Sequence, residues 1–240
     1  LILQTSEGAL RYMGMDYVIA MVEAAVKNTN IPVALHLDHG GSFEAIMKCI
    51  QNGYSSVMID ASHHPFEENI ELTRKVVEAA HAVGVTVEAE LGKLGGVEDD
   101  VSVDEKDAAF TDPDEAVEFV ERTEVDALAI AIGTAHGVYK GEPELDFERL
   151  KTIKDRLKMP VVLHGASGVP EDDVKKSVSL GINKVNINTD FQQAFTRRVK
   201  EIFAEDDSIY DPRKYCGPGR DAIKAKVIEK IKFLGSDNKA

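Results

Sequence analysis

The chain has 240 residues, 43% of them apolar, enough to bury a full core, and α/β barrels reach this size as one unit. A formal net charge of −14 argues against nucleic acid or an anionic membrane as partner, and no run approaches the roughly 18 consecutive apolar residues of a membrane span. Cys49 and Cys216 form no CxxC pair and are too few for a disulfide framework, so reduced thiols and a cytoplasmic location are expected.

The sequence opens at Leu1 within an apolar run, Leu1–Gln4, that reads as a strand. An amphipathic stretch with helical spacing, Asp16–Lys27, leads to a second strand, Val33–Leu37. Helix Phe43–Asn52, strand Ser56–Asp60, helix Glu68–Ala82 and strand Thr86–Glu90 follow. A glycine-punctuated stretch, LGKLGGVEDDVSVDEKDA, is long enough to be a lid loop. Alternation then resumes with helix Pro113–Glu121, strand Ala127–Ile130, helix Phe147–Arg156, strand Val161–His164, helix Glu171–Ser179 and strand Lys184–Asn188. The tail reads as helix Phe191–Ala204, the turn-rich YDPRKYCGPG, and helix Arg220–Leu234.

Strand starts recur about every 30 residues, the length of one βα unit. An open doubly wound sheet would alternate in the same way, but it binds ligand at a switch point after only a few strands. Here chemistry-bearing residues follow at least five strands, which favours a (β/α)8 TIM barrel with its site at the C-terminal face. The expectation is one domain, 1–240, of α/β class. Seven strands fall one short of eight, so the barrel's first βα unit is expected to be absent, leaving the chain unstable alone, with the helical tail packed across the barrel or a partner subunit.

Three histidines stand where an apolar run breaks into glycine: His39 in VALHLDHGG, His136 in LAIAIGTAHG and His164 in VVLHGASG. Imidazoles held rigidly at strand ends and converging on one mouth suit a metal with an open coordination position. Alone, Asp38 and His39 could be a capping aspartate and a core histidine; three such histidines favour a metal. The loops GASG (Gly165–Gly168) and NINTD (Asn186–Asp190) follow the last two strands, where barrels commonly bind phosphate through backbone N–H groups, although simple turns also use these residues. Asp60 ends a strand, and Glu88 and Glu90 alternate on one face of VEAEL. Carboxylates pointing into a barrel need a cation or donors, so metal-binding or metal-supporting roles are expected. Glu98, in the lid-like stretch, is placed to deliver a base. Asp99, Asp100, Asp104 and Glu105 read as a solvated charge run, and His36, His63, His64 and His81 as structural or surface residues.

The ordered set TSEGA, HLDHG, MIDASH, EAELG, GGVED, GTAHG, LHGASG, NINTD and YDPR, running through nearly the whole chain, closely resembles the class II, metal-dependent fructose-1,6-bisphosphate aldolases. The resemblance implies that His39, His136 and His164 are ligands of a catalytic zinc, and that Asp60 and Glu90 surround an alternative divalent position. It implies that Asp38 is the acid/base at the C4 hydroxyl and that Glu98 moves the C3 proton of dihydroxyacetone phosphate. Gly137, Gly165, Ala166, Ser167, Asn186, Ile187, Asn188 and Thr189 fall where the family holds that triose phosphate. Ser6 and, reaching from a second subunit, Arg213 match residues near the other phosphate. A monovalent cation and a homodimer or higher homo-oligomer are further implications, with a phosphorylated sugar as partner. The family's first strand and helix would lie upstream of Leu1, and Asn188 stands where many members have aspartate. A tagatose-1,6-bisphosphate aldolase shares the scaffold and stays open as an alternative. A barrel zinc hydrolase is a remoter one, since it has no need of small-residue phosphate loops after both final strands. A purely binding or structural piece is a third.

Overall fold

A computed structural model of the chain describes residues 1–98, 101–103, 108–139 and 141–239. The chain starts with β1 (Ile2–Ser6), α1 (Glu7–Met13), α2 (Met15–Lys27), β2 (Ala34–Gly40), α3 (Phe43–Gln51), β3 (Ser56–Ile59), α4 (Phe66–His81) and β4 (Thr86–Leu91). Next come β5 (Gly95–Glu98), β6 (Val101–Val103), α5 (Pro113–Thr123), β7 (Ala127–Ile130), β8 (Ala135–His136) and α6 (Phe147–Arg156). It ends with β9 (Val161–Leu163), α7 (Glu171–Ser179), β10 (Ile182–Val185), α8 (Thr189–Glu205) and α9 (Pro212–Phe233). Seven strands pair in parallel in the order β1-β2-β3-β4-β7-β9-β10, the succession of a TIM barrel.

Period-two patterning places two different sets of side chains on the two faces of this sheet. Leu35 and Leu37 of β2, Val57 and Ile59 of β3, Val87 and Ala89 of β4, Leu128 and Ile130 of β7, and Val161 and Leu163 of β9 join the apolar core shared with the helices. The intervening residues line the inner face, where small or apolar Met58, Ala129 and Val162 sit among His36, Asp38, Glu88 and Glu90. The sheet rolls far enough for distant strands to touch across this interior. Lys184 on β10 lies 2.9 Å from Glu88 on β4, and Asn186, one residue past β10, lies 3.2 Å from Asp38 on β2.

Several expectations are corrected. The lid-like stretch is not simply a loop: β5 and β6 form a hairpin there, and Lys93 and Ala109 pair at its base. Its acidic residues Asp99, Asp100, Asp104 and Glu105 lie outside the described residues. Helix α1 was not expected; the Ser6 hydroxyl accepts from Ala9 N–H and starts it directly from β1. The final strand stops at Val185 rather than continuing to Asn188, and α8 begins at Thr189. YDPRKYCGPG is largely helix: Asp211 accepts from Arg213 N–H, Pro212 occupies the first turn, and α9 continues through Pro218.

Candidate metal centre

His39 is the penultimate residue of strand β2 and has φ +46°, a left-handed conformation unusual for a side chain of its size. Two residues on, Glu7 Oε1 accepts from Gly41 N–H at 2.9 Å, tying the start of α1 to the end of β2. His164 follows β9 and is almost fully buried. His136 departs from the sequence expectation: it lies six positions beyond the end of β7 and sits on β8, paired with β5 in the small second sheet. Gly96 of β5, at φ +104°, faces it so closely that a Cβ there would run into the His136 carbonyl oxygen. That glycine lets the two strands meet.

One donor atom from each of His39, His136 and His164 lies within 4.8 Å of the others, and His39, Asp60 and Glu90 form a second set under the same limit. Hydrogen bonding selects which nitrogens face inward. His39 Nδ1 stands 2.7 Å from Asp60 Oδ2, and His164 Nε2 stands 2.8 Å from Glu88 Oε1. A carboxylate only accepts, so these nitrogens carry the protons and the lone pairs fall on His39 Nε2 and His164 Nδ1. Those two atoms face each other at 2.8 Å, an arrangement that calls for a shared cation. Three imidazoles with flanking carboxylates fit a divalent ion of the zinc type. Burial alone would raise the Asp60 carboxyl, but hydrogen bonds from His39 and from the Ser62 hydroxyl and N–H outweigh it and hold Asp60 below the usual carboxylate range.

Asp38 is 6% exposed beside this cluster, with Oδ1 4.0 Å from His39 Nε2. Gln4 donates to its Oδ2 at 2.8 Å and Asn186 to its Oδ1 at 3.2 Å. Among the described residues, the buried Asn186 Oδ1 has no hydrogen-bond partner, which leaves an acceptor available to a bound hydroxyl. His36, an inner-face residue below Asp38, bonds Ser56 Oγ through Nδ1 at 2.8 Å, and burial pushes its pKa down to about 3.

The two small-residue loops form one cradle. Ser167 Oγ accepts from the N–H groups of Asn188 and Asp190 at 3.3 Å each, joining the GASG loop to the first turn of α8. Gly165, at φ +65°, approaches β8 with no room for a Cβ, which would come 2.5 Å from Ala135 O. Ala166 is buried, Ile187 packs on the apolar core, and Thr189 opens α8. Gly137 immediately follows His136 and Gly165 immediately follows His164, so the candidate metal donors border these loops. The N-terminal end of α8 carries a positive partial charge that favours an anion.

Other expected residues lie apart. Arg213 is 89% exposed at the start of α9, paired with Asp211 of its own chain, and does not reach the histidines of that chain. Ser6 caps α1 at the end of β1. The backbone of Glu98 ends β5, two residues beyond the Gly96 that pairs with His136. His64 pairs with Glu68 and His81 with Asp126, both away from the cluster. Lys184 and Tyr139 escaped sequence reasoning. Tyr139 OH accepts from Ala135 N–H at 2.7 Å and donates to Gly165 O at 2.8 Å, and no motif signals that bridge.

Comparison with known proteins is consistent with this geometry. A profile described as fructose-bisphosphate aldolase class-II matches residues 1–239. The fructose-bisphosphate aldolase of Geobacillus stearothermophilus is 54% identical over 242 residues, covering 100% of this chain and 84% of the relative. That of Helicobacter pylori is 51% identical over 263 residues, with coverage of 100% and 86%. Among solved structures, the YdjI aldolase from Escherichia coli K12 superposes with a TM-score of 0.86 at 41% identity, covering 100% of this chain and 83% of that one.

Proposed function

Because the chain belongs to the class II fructose-bisphosphate aldolase family, we propose that it is a lyase that reversibly cleaves fructose 1,6-bisphosphate into dihydroxyacetone phosphate and glyceraldehyde 3-phosphate. The observation carrying this reading is the meeting of three imidazole donors within 4.8 Å, beside buried Asp38 and on the rim of the small-residue cradle. A zinc ion, when bound, supplies Lewis-acid polarisation of the ketone, so no Schiff-base lysine is required.

His39, His136 and His164 hold the ion, with Asp60 and Glu90 as carboxylates around an alternative divalent position. The cradle of Gly137, Gly165, Ala166, Ser167, Asn186, Ile187, Asn188 and Thr189 grips the phosphate of the triose half and fixes C3 and C4 over the donors. A monovalent cation beside that phosphate is part of the same reading. In cleavage, Asp38 accepts the C4 hydroxyl proton as the C3–C4 bond breaks and the C4 carbonyl forms. The bonding pair remains with C3 and spreads toward the C2 oxygen, and Glu98 returns a proton to C3. Asn186, donating to Asp38, keeps that carboxylate aimed at the substrate. In a homo-oligomer, exposed Arg213 reaches the second phosphate, near Ser6, in a neighbouring copy. Cytoplasmic glycolysis or gluconeogenesis is the setting that fits this reaction; among the described residues no helix is long and apolar enough to cross a membrane.

The test combines metal analysis with cleavage assays on both ketose bisphosphates. Bound zinc and faster cleavage of the fructose substrate are expected, and His164→Ala should lose both metal and turnover. A strong preference for tagatose 1,6-bisphosphate, or full turnover without metal, would refute the assignment.

A further inference from the structure

Beneath the metal donors lies an ion pair that no step above uses. Glu88 on β4 is 3% exposed and Lys184 on β10 is 12% exposed. The lysine Nζ contacts both carboxylate oxygens, at 3.1 and 2.9 Å, and Oε1 of the same carboxylate also meets His164 Nε2 at 2.8 Å. His36 Nε2 stands 3.9 Å from the other oxygen. A buried ion pair is weak evidence for stability, because desolvation opposes the attraction, and apolar residues of similar volume often serve as well or better. Met58, Ala129 and Val162, all fully buried on the same inner face, show that this interior accepts apolar side chains.

An apolar pair could not orient an imidazole. By accepting the Nε2 proton, Glu88 fixes the tautomer of His164 and leaves the Nδ1 lone pair directed at His39 Nε2, 2.8 Å away. Glu88 also lies on the same face of β4 as Glu90, two residues deeper in the barrel. Lys184 engages both oxygens of Glu88, and Glu88 meets His164 at Nε2, not at the Nδ1 that faces His39, so neighbouring carboxylates take different tasks. We propose that Glu88, clamped by Lys184, is a positioning residue that sets the metal-binding tautomer and ring orientation of His164. The proposal rests on the metal-centre reading above.

Two variants test it: Glu88→Leu/Lys184→Met, which replaces the ion pair with apolar side chains, and Glu88→Gln, which leaves only a weaker neutral acceptor. The readouts are zinc affinity by competition with a chromophoric chelator, the visible spectrum of the cobalt-loaded protein, and the melting temperature of the metal-free protein. The double variant should lose about 10- to 100-fold in zinc affinity and show an altered cobalt band while melting no lower than the parent. Glu88→Gln should move affinity and spectrum in the same direction by less. Parent-like zinc affinity and cobalt spectrum in either variant would overturn the proposal, as would zinc loss that only tracks a lowered metal-free melting temperature. A parent protein that binds no zinc would instead overturn the metal-centre reading, and this proposal with it.

Discussion

His36 shows how the polar interior of this barrel converts into a pH-dependent stability. Burial pushes its pKa from 6.5 to about 3, with Glu88 opposing and Lys184 adding to the depression. Between these values the unfolded chain binds a proton at this residue that the folded chain does not, so stability falls as pH drops below 6.5; above 6.5 the residue contributes no slope. The size is about 1.4 kcal/mol per pH unit within that window. His36→Gln can still bond Ser56 without titrating. Urea unfolding of parent and variant at steps from pH 7 to pH 4 should show the gap in stability between them narrowing, or reversing in favour of the variant, as pH falls. Parallel curves would mean that His36 is protonated in the fold as readily as in the unfolded chain.

At the level of elements, Tyr139 joins two segments that carry different parts of the site. Its hydroxyl bridges Ala135 N–H on β8 and Gly165 O in the GASG loop, so the strand bearing His136 and the loop following His164 move together. Tyr139→Phe keeps the ring and removes both bonds, at a cost of about 1–2 kcal/mol, a factor of roughly 5 to 30. Steady-state kinetics should show this mainly as a raised KM for the bisphosphate, because the loop proposed to grip phosphate loses its anchor. A variant less stable but with unchanged KM would confine Tyr139 to packing. The βα alternation was legible because strand periodicity and helix periodicity differ, and the imidazole trio because each histidine abuts glycine. The β8 strand was not: Gly133 and Gly137 around it read as loop, and only its pairing with β5 makes it a strand. Helix α9 was hidden by Gly217, Pro218 and Gly219 in its early turns, although Asp211 before Pro212 is a helix-start signal. Gly219 has a packing reason, since a Cβ there would come 2.6 Å from Phe195 of α8. Lys184 looked like an ordinary lysine at a strand start, because its partner lies 96 residues away and is reached only through the curl of the sheet.

Across the whole molecule, the proposed metal donors come from separate sectors of that curl. His39 belongs to β2, His136 to the small sheet beyond β7, and His164 to the end of β9, while among the described residues β1 and β10 pair on one side only. Asn186 to Asp38 near the mouth and Lys184 to Glu88 deeper in the barrel draw the far strands together. In the proposed metal centre, an ion shared by the three imidazoles would close the same circuit at the rim, and the unfolded chain, with these residues scattered over more than a hundred positions, would offer it no comparable site. Binding would therefore stabilise the whole fold by mass action, by about 4 kcal/mol at a free metal concentration a thousand times the dissociation constant. For a chain of this length that corresponds to a rise in melting temperature of roughly 8–16 °C. Calorimetric scans of the chain stripped by chelator and then reloaded with zinc should recover such a rise, and His136→Ala should abolish it while leaving the metal-free transition near that of the parent. Identical melting with and without metal would mean that the three histidines do not act as one site, and that the rim is held by protein contacts alone.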